Sequence, residues 1–258
     1  MIVRERPDAF VMIEQDNHAQ VSGKIMSQWK DSLFPGLDLR QSAEHAIYRH
    51  DVGWEPFDCQ PFWNDQKQSP YMFTDFPAMP KTVLYKHGID VVEKEDAYAA
   101  MLCSEHYKQF VKKEPGETAR NFVEHEDQRQ QRLMELLDGF NKRLFRHHFT
   151  LLQLGDSLSL YACLNEPGVS KKDEHPFFKD GISLADKLEG LNRDKMEIYW
   201  KDDQTIVLDP FPFERTLEFT LQQKVVAKQA IAQHGLLESY ERTPFEKISL
   251  RLMPMQSL

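Results

Sequence analysis

The sequence predicts an α+β fold that is mainly α, with a helical region over residues 1–168 and a β-rich region over 169–258. Three observations lead there. Apolar residues recur at helical spacing through most of the first region. They alternate singly in the tail, as half-buried strands do. The break Asn165-Glu166-Pro167-Gly168 stands between the two patterns. A chain of 258 residues makes one or two domains. Pairing of the tail strands with an N-terminal strand would join both regions into one unit.

Ala9-Phe10-Val11-Met12-Ile13 reads as a short strand. Asp16 and Asn17 resemble a helix start, and Val21, Ile25, Met26 and Trp29 carry the helical period on to Phe34-Pro35-Gly36. Gln41 to Val52 reads as a second helix, broken by Gly53. Residues 54–82 are rich in proline and aromatic side chains without a clear period, and are expected to form a long irregular loop. Glu95 to Lys112 is a third helix, stopped at Pro115-Gly116. Thr118 to Phe140 is charged apart from Phe122, Leu133, Leu136 and Leu137, which suits a surface helix with one narrow stripe. Leu144 to Leu164 is far more apolar and is expected to be central. Residues 169–195 form a polar connector. Met196–Trp200 and Thr205–Leu208 flank Lys201-Asp202-Asp203-Gln204 as a hairpin, and Leu217, Phe219, Leu221 and Ile248, Leu250, Leu252 alternate as further strands.

Composition removes several function classes. A net charge of −9, from 32 basic and 41 acidic residues, argues against a broad nucleic-acid surface. No apolar run approaches the ~18 residues of a membrane span. The opening MIVRERPDAF is charged where a secretory leader needs an apolar core, so no leader is expected. Three widely spaced cysteines make neither a disulfide framework nor a thiolate metal site, and the cytoplasm is the expected compartment. Ten histidines leave imidazole and carboxylate as the metal donors available.

Four places stand out. Asp156 lies in Leu151-Leu152-Gln153-Leu154-Gly155-Asp156-Ser157-Leu158, the most apolar helix of the chain. A lone buried carboxylate costs several kcal/mol unless it is paired or holds an ion. His106 has Leu102, Cys103 and Phe110 on its own face. His18 begins the first helix and His50-Asp51 ends the second. Each has an ordinary alternative. Asp156 could pair with Arg143 or Arg146, and His106 could be a satisfied core histidine. His18 could donate to a loop carbonyl, and His50 could be a helix C-terminal cation beside a surface acid. Together, on separate helices, they could converge in a helical core, where metal sites are commonly built.

The order His18, His50-Asp51, Asp156 resembles the HD superfamily of metal-dependent phosphohydrolases. A wider context is similar to a bacterial family of proteins of unknown function related to that superfamily: His18-Ala19-Gln20-Val21-Ser22-Gly23, Arg49-His50-Asp51-Val52-Gly53-Trp54, Ser104-Glu105-His106 and Asp209-Pro210-Phe211-Pro212-Phe213. The resemblance implies an HD-like helical bundle with a smaller antiparallel β element from the C-terminal region and the N-terminal strand. It implies His18, His50, Asp51 and Asp156 as ligands of a divalent transition metal. His106 matches a further histidine that holds a second ion, so one or two ions of Fe, Mn, Zn, Co or Ni would be bound. Asp51 and His106 would be the catalytic residues. His87, in Tyr85-Lys86-His87-Gly88, reads as loop and is the weaker candidate. Where many HD hydrolases carry a phosphate-binding lysine after the pair, this chain has Trp54. Lys24, Arg40 or Arg49 could substitute, although Arg49 leaves its helix about 100° from His50.

The implied activity is hydrolysis of a phosphate ester or anhydride by metal-activated water, with a small anionic molecule as substrate. A related helical His/Asp class uses two irons to oxidise an organic substrate, and Trp54 with the aromatic loop suits that alternative. A non-enzymatic binding or regulatory module is the third. Elsewhere, His147-His148 read as a solvated basic face or an anion site, His45 as pointing to a different face from His50, His125 as exposed, and Ser22 as a helix-packing residue. Asp209 to Phe213 reads as a cleft-lining loop or a structural turn.

Overall fold

The computed structural model of the chain describes residues 1–184, 188, 190–191 and 193–255. It opens with a hairpin, β1 (Ile2–Glu5) and β2 (Ala9–Ile13), that runs into α1 (Gln15–Met26). Short 3-10 turns lead to α2 (Arg40–Arg49), and another at Val52–Trp54 leads to α3 (Glu55–Asp58). A small hairpin follows, β3 (Trp63–Asn64) and β4 (Ser69–Pro70). Four long helices come next: α4 (Ala78–Glu95), α5 (Ala97–Val111), α6 (Glu117–Leu136) and α7 (Lys142–Leu164). After them come β5 (Ile182–Ser183), β6 (Lys195–Asp202), β7 (Thr205–Asp209) and β8 (Leu217–Ala227). Helices α8 (Lys228–His234) and α9 (Leu236–Arg242) then carry the chain to β9 (Glu246–Pro254).

The β part overturns the expected HD-like bundle with a minor antiparallel element. Seven strands form one curled mixed sheet in the order β1-β2-β8-β9-β7-β6-β5. The last strand, β9, inserts between β8 and β7. It runs antiparallel to β8, with Phe219 opposite Leu250, and parallel to β7, with Ile206 opposite Leu252. Alternation marks each strand singly but does not say which strand lies between which. β1 escaped notice because Arg4 and Glu5 break its apolar run. Arg4 is nonetheless buried, donating to the carbonyls of Cys163 and Asn165 and to Gln223 Oε1.

Side chains from the sheet (Ile13, Leu217, Phe219, Leu221, Leu250, Leu252) and from the helices (Ile25, Ile47, Leu102, Leu151, Leu158) belong to one continuous buried core. The expected loop over 54–82 is also corrected. It holds α3, the β3–β4 hairpin and the start of α4, whose mixed Lys, Asp and Glu content hid its period. His87 therefore sits on α4, and it is exposed. Within the connector 169–195, residues 185–187, 189 and 192 lie outside the described residues. Asp209 to Phe213 is a structural turn: Phe213 is buried edge-on to Trp29, and Pro212 accepts from the Lys30 amide.

Two close approaches set the helix positions. A Cβ on Gly155 of α7 would stand 2.7 Å from Met26 Cγ and 2.8 Å from Ser22 Oγ of α1, so only glycine lets these helices touch there. Gly53 and Gly88 meet backbone to backbone, which lays α4 against the 52–54 turn. No described helix is long and apolar enough to cross a membrane.

His148 is buried, not solvated. Its Nε2 donates to the Pro35 carbonyl at 2.9 Å, so its Nδ1 accepts from the Tyr98 hydroxyl at 2.8 Å. Burial pushes its pKa down to about 4. The folded state thus resists a proton that the unfolded chain accepts near pH 6.5. Stability from this residue is complete above pH 6.5 and is lost as pH falls toward 4, to a limit on the order of 3 kcal/mol. Urea unfolding midpoints of the wild type are expected to drop across that window more steeply than those of His148→Gln.

Candidate metal centre

The first helix is fixed at its start from a distance. No local side chain caps α1. Instead Asp58, at the end of α3, accepts from the Gln15 amide at 2.7 Å and the Asp16 amide at 3.2 Å. His18 follows within the first turns, buried. His50 occupies the C-cap position of α2, and Asp51 leads into the 3-10 turn. His106 comes from α5 and Asp156 from α7. The structure brings all five side chains together: His18, His50, Asp51 and His106 are buried and the Asp156 side chain is 14% exposed.

Hydrogen bonds fix which nitrogen of each ring faces inward. His50 Nδ1 lies 2.8 Å from the Ile47 carbonyl, which only accepts, so Nδ1 carries the proton. His18 Nδ1 lies 2.7 Å from Ser159 Oγ, whose own hydroxyl donates to the Asp156 carbonyl at 3.0 Å. His18 Nδ1 is therefore the donor as well. Both Nε2 atoms point at one place, 3.3 Å apart. His18 Nε2 lies 3.0 Å from Asp51 Oδ2 and 3.5 Å from Asp156 Oδ1. His50 Nε2 lies 3.8 Å and 3.6 Å from the same two oxygens.

Neutral rings in these tautomers would turn two lone pairs toward each other and toward two carboxylates. Positive charge, from a metal ion or a proton, relieves that. Donors bound about 2.1 Å from one ion at tetrahedral angles stand about 3.4 Å apart, which matches these five separations. His18, His50 and Asp51 make one group able to hold a metal ion, and His50, His106 and Asp156 make a second. Asp156 spans them, with Oδ1 toward His18 and His50 and Oδ2 toward His106 at 4.0 Å. Without an ion, a proton serves instead. Burial alone would lower the His50 pKa, but Asp51 and Asp156 raise it to about 9. Burial would raise both carboxyls, yet the surrounding imidazoles hold Asp51 and Asp156 below the usual range. Burial drives His106 down to about 4.

Three residues that the sequence reading missed hold the cluster. Tyr107 donates to Asp51 Oδ1 at 2.9 Å, and Gln15 Nε2 donates to Asp51 Oδ2 at 3.0 Å. Ser159 orients His18. The signal was one helical turn away: Gln15 is three residues before His18, and Ser159 three after Asp156.

A pocket of about 500 Å³ opens onto the cluster. Trp54 lines it, buried against Phe57, Phe76 and Tyr85. Lys24 and Arg49 do not. Lys24 is exposed on the β8 side of α1, and Arg49 reaches Glu95 at 3.5 Å. The lysines that line the pocket are Lys81 and Lys113. His45 pairs with Glu95, and His125 borders Arg129. Ser22 is buried at the α1–α7 contact.

A family model described as "Protein of unknown function (DUF3891)" matches residues 1–228, and the chain belongs to that family. No curated protein and no solved structure matches the chain significantly. The matched span contains all five cluster residues and ends before β9. Partners that orient a ligand typically control 10–100-fold of metal affinity. Ser159→Ala is accordingly expected to weaken binding of added Zn²⁺ or Mn²⁺ by about that factor, measured by chelator competition, with an unchanged far-ultraviolet circular dichroism spectrum.

Proposed function

We propose that this DUF3891 protein is a metal-dependent hydrolase that splits a phosphate ester or anhydride with metal-activated water. One observation carries the reading. Two buried imidazoles, whose Nδ1 protons go to Ser159 and the Ile47 carbonyl, turn their Nε2 atoms toward each other and toward two carboxylates. The donor set of imidazole and carboxylate suits Fe, Mn, Zn, Co or Ni. The order His18, His50-Asp51, Asp156 links the reading to HD-type chemistry, although the fold around it is different.

A bound ion would lower the pKa of a water and polarise a phosphoryl oxygen. The chain's own groups do the rest. Ser159 and the Ile47 carbonyl hold His18 and His50 in the ligating tautomer. Tyr107 and Gln15 hold Asp51 in place from its two oxygens. Burial keeps His106 neutral at pH 7, so its imidazole could hold a second ion. The aromatic wall of Trp54, Tyr85 and Phe110 limits water around the reacting group.

A second reading, oxidation of an organic substrate by two irons and oxygen, is favoured by those aromatic walls and by the lack of a lysine after His50-Asp51. It predicts oxygen uptake by the iron-loaded protein, which hydrolysis does not. For the hydrolase, reconstituted protein is expected to hold roughly one or two ions per chain. It should cleave p-nitrophenyl phosphate, lose that activity to a chelator and regain it with metal. Asp51→Ala and His50→Ala should each lower kcat by at least about 100-fold. Protein that takes up no metal on reconstitution sinks the reading.

A further inference from the structure

The geometry points to a substrate with two ends: a reacting group at the His/Asp cluster and, across an apolar body, a second oxyanion held by Lys81. This rests on the hydrolase reading for the first end only. Lys81 comes from the first turn of α4 and lines the same pocket as His18, Asp51, His106 and Asp156. It is half-buried, so its ammonium has given up part of its water.

Its protein surroundings leave the charge open. Burial lowers its pKa, and the carboxylates that act on it are Glu114 and Asp75, not those of the cluster. Asp75 is already engaged, with Oδ2 2.9 Å from Lys67 and Oδ1 accepting from the Met72 amide at 2.8 Å. Glu114 is exposed. Among the described residues, no carboxylate is recorded within 4.0 Å of Lys81. A cation that faces a pocket with no fixed counter-charge is a site for a ligand's anion.

Apolar and aromatic side chains of the same pocket suit the middle of the ligand. Phe73, Tyr85, Phe110, Leu160 and Phe177 line the pocket, and Tyr85 stacks on Tyr107 with ring centroids 3.9 Å apart. Such a wall takes a flat or apolar body and offers little to a second sugar or peptide unit. Phosphate and carboxylate share the chemistry Lys81 would recognise, and the ligands tested below separate them. Lys81 is not where the sequence pattern placed the anion-binding residue; Lys24 and Arg49 face elsewhere.

The test is isothermal titration calorimetry on the Zn²⁺-loaded protein. The probes are phenylphosphonate, 4-carboxyphenylphosphonate and 1,4-phenylenebisphosphonate. Wild type should bind at least one two-headed probe tenfold or more tighter than phenylphosphonate; which one names the second group. Lys81→Met, which keeps most of the aliphatic stem, should erase that gain and leave phenylphosphonate binding unchanged. Lys81→Arg should keep part of it. Equal binding of all three probes by wild type overturns the proposal, as does a gain that survives in Lys81→Met or is lost only in Lys113→Met. Failure of the hydrolase reading looks different. Phenylphosphonate would then show no metal-dependent binding, while 4-ethylbenzoate would still bind wild type and weaken tenfold in Lys81→Met. Absence of that benzoate effect overturns the proposal in this case too.

Discussion

Electrostatic repulsion between donor atoms is the constraint on which the rest of this structure turns. Ring nitrogens 3.3 Å apart, beside two carboxylates, do not stay buried without positive charge among them, from a metal ion or a proton. Each surrounding feature pushes atoms toward that unstable arrangement. Ser159 and Ile47 remove the freedom of the rings to flip their protons inward. Tyr107 and Gln15 remove the freedom of Asp51 to turn away. Hydrogen bonds and buried volume thus hold together a set of donors that could bind a metal ion.

The packing serves the same end. α1 and α7 can touch because Gly155 has no side chain, and the residue after it is Asp156. The Gly53–Gly88 contact lies just beyond Asp51 and brings α4 close enough for Tyr85 and Lys81 to reach the pocket. The sheet contributes at second hand. Asn17 Oδ1 accepts from the Gln222 amide of β8, which ties α1 to the strand layer one residue before His18.

The cluster and the helices that carry it were legible in the sequence, and the order and extent of the sheet were not, for a physical reason. Burial makes demands that show locally. An aspartate among leucines and a histidine on an apolar stripe each require a partner, so Asp156 and His106 announced themselves. Strand order makes no such local demand. Nothing in Ile248, Leu250 and Leu252 tells that β9 lies between β8 and β7. Charged residues misled where long-range partners satisfied them, as with Arg4 in β1. Proximity in sequence misled as well: Lys24 and Arg49 are near the ligands along the chain, but their helices turn them to other faces.

The place of β9 also bears on how the molecule assembles. A sheet that grew outward from a hairpin would add each new strand at an edge. Here β9, made after β1 to β8, belongs to the middle of the sheet. Until it arrives, β8 and β7 each present an unpaired edge, and the layer under α1 exists as two incomplete halves. Closing it needs contacts between residues far apart in the chain, which form slowly. Open edges of that kind are sites of misassociation. The helices around the cluster, α1, α2, α5 and α7, are all made before β8 begins, but their buried faces share one core with β8 and β9.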